Sequence, residues 1–550
     1  MKKLIVILSS LVLSVLSVGA LSSCGSGQES TSDSSDKIIN VYGCEPQNKL
    51  VPGNTTETCG GNILGVLFDE LVSYSSDGKA ENDVAESITP SDGNKVYEIK
   101  IKSGLVFDNG EAVTSESFIK AWNYTAVAEN AQGAQSFFAP IKGYKEVAEE
   151  GAKTKELSGL VKVSDLEFKI ELNEASVTFP LRLGYSAFAP LPVSEFDAEG
   201  KLNEGFGDHP IGNGPYKFSQ WNHDMDVKIV KSDTYKGNRI PKNGGIDFKV
   251  YTGGTEAAYA DIQSGALDVL EAVPMTQTKT FQNDPQIQAV VSPSAVYQGL
   301  EIPDNLAHFG WDEEGQLRRA AISRAIDRQA IIDKVSDGLA DHPVSFSPNS
   351  SKISGATDQI KGNEVLQFDA AKAKELWTKA DAISKFENPK LDVYYNADGG
   401  GKPLLEAVAN SIKANLDIES SAKSTPDFKT LLNKEASHTM DGAFRMGWQP
   451  DYPSVENYLA PLYSKEAAKN GSNYSGFSND EFEELMVKGG ASDNIDDANK
   501  VFVEAEEVLF KYLPCFPLYD PKDKGAAALG VKGMAFDWHG TPDYINIIKD

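Results

Sequence analysis

Histidine and cysteine are scarce in this chain. Its six His, at positions 209, 223, 308, 342, 438 and 539, never fall within four residues of one another, and its four Cys, at 24, 44, 59 and 515, form no close pair. A closed zinc site needs such ligands clustered, so no metal is expected. There is no Gly-x-Ser-x-Gly elbow either, and with the His dispersed nothing predicts a nucleophile beside its base. Basic residues are the minority, 52 against 80 acidic ones, giving a formal charge of -28 with no basic run to offset it. Such a surface repels nucleic acid and anionic lipid. Two Gly-rich stretches invite a phosphate-binding reading and fail it. Gly60-Gly61 is followed by no Lys-Ser/Thr, and Gly212-Asn213-Gly214 lacks the helix and third Gly of a dinucleotide fingerprint, so no cofactor is expected.

A single long apolar run is present, residues 4–21, behind Lys2 and Lys3 and ahead of Leu21-Ser22-Ser23-Cys24. A charged start, an apolar middle and small residues before a cut site describe a signal peptide, residues 1–23, rather than a lasting membrane span. Leu-Ser-Ser-Cys looks like a lipobox, in which Cys24 becomes the diacylated first residue. Each buried methylene of such chains contributes about 0.8 kcal/mol, which would hold a soluble body to the outer leaflet of the cytoplasmic membrane. Residues 24–36 form a hydrophilic tether, for Gly25 to Asp36 include no large apolar side chain. Cys44 and Cys59 share one loop-rich segment outside the cytosol, where a bridge would stabilise by about 3 kcal/mol. Cys515, in Leu513-Pro514-Cys515-Phe516, reads as a small buried hydrophobe.

At 550 residues, 40% of them hydrophobic and 24% charged, the chain is a globular protein too long for one core. Residues 37–42 and 96–102 alternate as strands, and Thr114 caps a helix whose Phe118, Ile119, Trp122 and Tyr124 are core at helical spacing. Further strands are expected at 161–163, 168–172, 245–251 and 391–395, and helices at 63–72, 256–269, 403–416 and 496–513. Ser478-Asn479-Asp480-Glu481 caps another helix. Residues 316–335 read as one helix, with Arg318, Arg319, Arg324 and Arg328 on a solvated face balanced by Glu313, Glu314, Asp327 and Asp333. Strand and helix alternate in both halves, the mark of an α/β protein.

Phe444-Arg445-Met446-Gly447-Trp448-Gln449-Pro450-Asp451-Tyr452-Pro453 stands apart. An apolar strand gives way to a Pro-flanked loop carrying one carboxylate beside a large aromatic. Lining a cleft, that acid would hold an ammonium strongly, because charge pairs strengthen as water leaves. From the residues alone it is equally a solvated loop Asp, with Arg445 on a strand's outer face. The stretch resembles the Gly-Trp-x-x-Asp-Tyr segment of the oligopeptide- and dipeptide-binding lipoproteins of ABC importers, solute-binding protein family 5. Other stretches resemble it too: Phe107-Asp108-Asn109-Gly110 before Val113-Thr114-Ser115-Glu116-Ser117-Phe118, Gly212-Asn213-Gly214-Pro215-Tyr216, and Ala325-Ile326-Asp327-Arg328.

The resemblance implies a two-lobed periplasmic-binding-protein fold of type II, with an extra subdomain in the first lobe and a hinge between lobes. Lobe I would comprise residues 37–74, 205–294 and 514–550, the subdomain 75–204 and lobe II 295–513. Residues 294–303 and 514–519 would cross between lobes. Asp451 would take the α-amino group of a bound peptide, Arg445 a carboxylate, and Trp448, Gly447, Tyr452, Tyr297, Thr56 and Glu57 would neighbour the ligand. The expected protein is a monomer and not an enzyme, handing short peptides to an ABC-type permease. The same fold could bind an oligosaccharide, stacked on Trp448, Tyr452 and Tyr458, or a nickel complex; an extracytoplasmic enzyme is the rival outside it.

Overall fold

The computed structural model describes residues 36–550 apart from 253, 349–352, 354 and 400. The expected signal peptide, Cys24 and all but the last residue of the tether lie outside the described residues.

One 14-residue strand, Cys515–Ala528, organises the molecule. Its first residues pair antiparallel with Tyr297–Glu301, Glu301 opposite Cys515 and Leu300 opposite Phe516. Its later residues pair with Ile287–Pro293, from Pro293 opposite Lys522 to Ile287 opposite Ala528. Pro517 cannot donate to a ladder, and the register shifts between Gln298 and Gly299 where it is met. Residues 294–296 and 519–521 run side by side between these two pairings, with the Ser294 N–H donating to Pro521 O at 3.1 Å. The chain expected to cross at 514–519 therefore continues as strand well beyond it.

On one side of the long strand the sheet runs through Val269–Leu270, Ile38–Gly43, Gly245–Val250, Asp226–Lys231 and Tyr216–Asn222; on the other through Tyr297–Glu301, Ala443–Trp448, Val393–Asn396 and Ala422–Thr425. Among the described residues, two large hydrophobic cores lie along it, with a small third cluster of Leu431, Met440 and Phe444. The first gathers Ile39, Val41, Trp122 and Ile229, the second Leu300, Ile322, Val408 and Leu509. These cores define two α/β lobes. In the second, parallel strands Val393–Asn396 and Ala422–Thr425 are joined through helix Lys402–Leu416, whose apolar stripe of Leu405, Val408 and Ile412 is buried against them.

The first core extends into an inserted four-stranded antiparallel sheet, in the order Ala85–Ser91, Val96–Ile101, Glu167–Glu171, Leu160–Ser164. Helix Ser115–Ala126 packs on it, its Phe118 and Trp122 rings 5.9 and 5.7 Å from Phe168. Thr114 and Ser117 close a capping box at its start. Cys44 and Cys59 are joined by a disulfide, with Cα atoms 5.3 Å apart, and Cys515 is free and buried.

The helix expected at 316–335 is two helices, Glu313–Ala325 and Arg328–Val335. Ile326 is extended, and the Asp327 carboxylate starts the second helix by accepting from Ala330 N–H at 3.0 Å. Its arginines are not a solvated row, since Arg318, Arg319 and Arg328 are 0% exposed. Arg319 donates to the carbonyls of Ile302, Phe309 and Leu513, and Arg328 to those of Ser323, Leu366 and Pro517. Burial depresses both guanidinium groups to about 9, and the ring of carbonyls makes them tolerable inside the second lobe. They pin the ends of the strands that lead to the other lobe.

Candidate functional site

The strand Ala443–Trp448 ends against Pro450, whose predecessor is barred from helix, and helix Glu456–Tyr463 begins six residues later. The intervening loop carries Asp451. Asn457, in the first turn of that helix, fixes it: Asn457 Oδ1 accepts from the Asp451 N–H at 2.8 Å and from Trp448 Nε1 at 3.4 Å, while its Nδ2 lies 3.4 Å from Asp451 Oδ2. One amide side chain thereby sets both the acid and the indole.

The facing wall comes from the other lobe. Arg182, in the short turn Phe179–Gly184, donates from Nη2 to Tyr452 Oη at 2.9 Å and reaches Glu456 Oε1 at 3.5 Å. Its guanidinium lies over the Tyr452 ring, 5.1 Å from the centroid. Tyr452 in turn donates to Glu456 Oε2 at 2.5 Å. Tyr185, stacked on Phe137 with centroids 4.4 Å apart, and Tyr74, bonded to the Leu181 carbonyl, complete that wall. Gln449 Nε2 donates to His539 O at 3.0 Å, and the Val177 N–H to Gly490 O at 2.8 Å. Asp451 thus lies where the lobes meet.

Its electrostatics follow from that position. Burial raises the Asp451 carboxyl to about 7, against the opposing pull of Asn457 and Arg182. Burial also works against charge on Arg182, but Tyr452, Glu456 and Asp451 outweigh it and hold the guanidinium above its ordinary value. His539 is pushed down to about 4 by burial and stays neutral. The junction thus sets one carboxyl group, Asp451, beside a half-buried indole, Trp448. A model of the bacterial extracellular solute-binding proteins, family 5 middle region, matches residues 79–470. The chain belongs to the bacterial extracellular solute-binding proteins of family 5.

Membership places this family 5 protein among extracytoplasmic solute binders. It is 25% identical over 539 residues to the oligopeptide-binding protein OppA of Bacillus subtilis, covering 96% of this chain and 95% of that one. Its fold is that of the Escherichia coli murein tripeptide binding protein MppA, with a TM-score of 0.73, 20% identity, and 94% and 98% of the two chains covered. Haemophilus influenzae OppA, solved in complex with the peptide RPPGFSPFR, matches at a TM-score of 0.73 and 20% identity over 94% and 99%.

Within the family 5 chain, the residues expected around a ligand separate into two groups. Asp451, Trp448 and Tyr452 sit together at the junction, although Tyr452 is only 2% exposed and is engaged by Glu456 and Arg182. Arg445 departs the strand three residues before Trp448, hence on the opposite face. It donates to Asn396 Oδ1 at 3.1 Å, lies over the Phe428 ring and shares its face with exposed Gly447.

Tyr297 is a correction. It is 1% exposed, turned into the second core, and its hydroxyl donates to Cys515 Sγ at 3.3 Å, so it cannot meet a ligand. Glu57 is half-buried, and its carboxylate caps helix Thr58–Leu67 by accepting from Gly60 N–H at 3.0 Å. Thr56 is exposed beside Gly133 of the first lobe. Tyr458 is buried, donating to Ala295 O at 2.5 Å, and has no face to offer a sugar ring. Arg182, Glu456 and Asn457 were not expected. Asn457 carried a signal, a polar residue beside Tyr458-Leu459 in an apolar helix; Arg182 carried none, because its partners are 270 and 274 residues away.

Proposed function

We propose that the protein captures short peptides between its lobes and delivers them to an ABC-type permease, tethered to the membrane by lipid at Cys24. The observation that carries the reading is a carboxyl group held at the interlobe junction by Asn457 and raised to about 7 by burial. A buried carboxylate is costly without a cation, and a peptide's terminal ammonium would offset that cost. Trp448, half-buried beside it, excludes water. Gly447 leaves room along the strand for an extended backbone held by main-chain hydrogen bonds, and Arg445 on that face offers a charge to a ligand carboxylate. The relatives' printed names, oligopeptide-binding and murein tripeptide binding, support the same ligand class. The two adjacent crossings near residues 295 and 520 suit a hinge that opens and shuts the gap.

Asp451→Asn tests the reading. It should weaken binding of free-amino peptides by about tenfold or more, a charge-assisted hydrogen bond being worth roughly 1.5–3 kcal/mol, and leave N-acetylated peptides little changed. Calorimetry showing equal losses for both would remove Asp451 from this role.

A further inference from the structure

Where the lobes meet, two carboxyl groups, Asp451 and Glu456, both act on one buried cation, Arg182. Arg182 and Glu456 are 14% and 12% exposed at the side chain. Arg182 belongs to the first lobe, yet the acceptors of its Nη2, Tyr452 and Glu456, belong to the second. Its Nε is buried and finds no acceptor among the described residues. The other ionisable groups set against Asp451 are Tyr74, Tyr185 and Tyr458, and burial raises all three hydroxyls, so they stay protonated and neutral. Neutral His539 approaches Gln449. Arg445 is turned to Asn396. With Asp451 ionised, as a ligand cation beside it would hold it, the count of charges is two negative and one positive.

We propose that Arg182 is the resident counter-ion of the binding site: it neutralises Glu456 across the gap and leaves one uncompensated negative charge, that of Asp451, for a ligand group bearing one positive charge. This rests on the peptide reading and deepens it, since it states why the site accepts one ammonium. Arg182 is a positioning residue in this scheme. Its charge matters through the balance it sets, and buried charge that is not balanced is expensive.

The test is a rescue by charge, measured by calorimetry with tri-, tetra- and penta-alanine. Glu456→Gln alone frees Arg182 to neutralise Asp451, and should weaken binding by about tenfold or more, some 1.4 kcal/mol for each factor of ten. Adding Arg182→Gln restores a single net negative charge, and affinity should return to within about threefold of the parent. A purely mechanical role for the Arg182 bridge predicts the reverse, a double variant no better than the single one, and that result would overturn the inference. So would a Glu456→Gln variant that binds as the parent does. Arg182→Lys, which keeps the charge, should bind close to the parent; a loss as large as that of Glu456→Gln would equally count against it. If the parent protein binds none of the three peptides, the peptide reading falls and takes this inference with it, an outcome distinct from binding without rescue.

Discussion

At the scale of single residues, burial decides what each acid does. Asp451 and Glu506 are both raised by desolvation, the one to about 7 and the other to about 8, but their surroundings differ. Asp451 lies at the junction of lobes, whereas Glu506 is inside the second lobe, 0% exposed, with Oε1 accepting from Phe346 N–H at 2.9 Å. A carboxyl raised in the folded state binds its proton more tightly there than in the unfolded chain, whose Glu titrates near 4.3. Its contribution is therefore fully present below about pH 4 and is lost as pH rises toward about 8, by roughly 1.4 kcal/mol per pH unit. Glu506→Gln resembles the protonated side chain and should abolish that slope. The variant's melting temperature should match the parent's in acid and exceed it above about pH 8; curves that stay parallel across this range would show that Glu506 does not titrate as described.

At the scale of elements, the close approaches of backbone explain sequence features that periodicity cannot. Gly212-Asn213-Gly214 reads as a tight turn before the strand Tyr216–Asn222, but its glycines also answer to a neighbour. A Cβ on Gly212 would collide with the carbonyl oxygen of Leu67, at the end of helix Thr58–Leu67, and the Gly214 N–H donates to that same oxygen at 2.9 Å. Asn213 then exchanges two hydrogen bonds with the Asp69 backbone, at 3.2 and 2.8 Å. The turn thus docks the helix end onto the first lobe's sheet. Gly212→Ala must push helix and turn apart, and should cost about 1–3 kcal/mol in urea-unfolding free energy. An unchanged unfolding midpoint would mean that the contact relaxes without cost.

At the scale of the whole molecule, the two cores are joined by two neighbouring chain crossings, and polar side-chain bonds also link the lobes. Arg182 to Tyr452, Asn94 to the Ser492 carbonyl at 2.8 Å and Gln449 to His539 are contacts that water can replace when the gap opens. Such a body can move relative to a fixed anchor, and the anchor proposed is lipid on Cys24. Cys24→Ala should shift the protein from the membrane fraction to the soluble fraction; unchanged fractionation would show that another feature holds it there. Among the described residues no helix is long and apolar enough to cross a membrane.

Sequence by itself determined what is local. Alternation at residues 96–101, the cap at Thr114, the apolar stripe of residues 403–416 and the Pro-flanked loop around Asp451 depend on neighbours within a few positions, so they are legible before any fold is known. The acidic surface and the scattered His and Cys likewise need no coordinates. Tertiary structure alone decided which side chains those elements bury. Arg319 looked solvated until the carbonyl of Leu513, 194 residues on, was brought to it, and Tyr297 looked available until Cys515, 218 residues on, took its hydroxyl. Arg182 became part of the site only because folding carried it across the gap to Tyr452. The physical reason is the same in each case: the cost of burying a polar group depends on the partner it meets, and that partner is chosen by packing rather than by spacing along the chain.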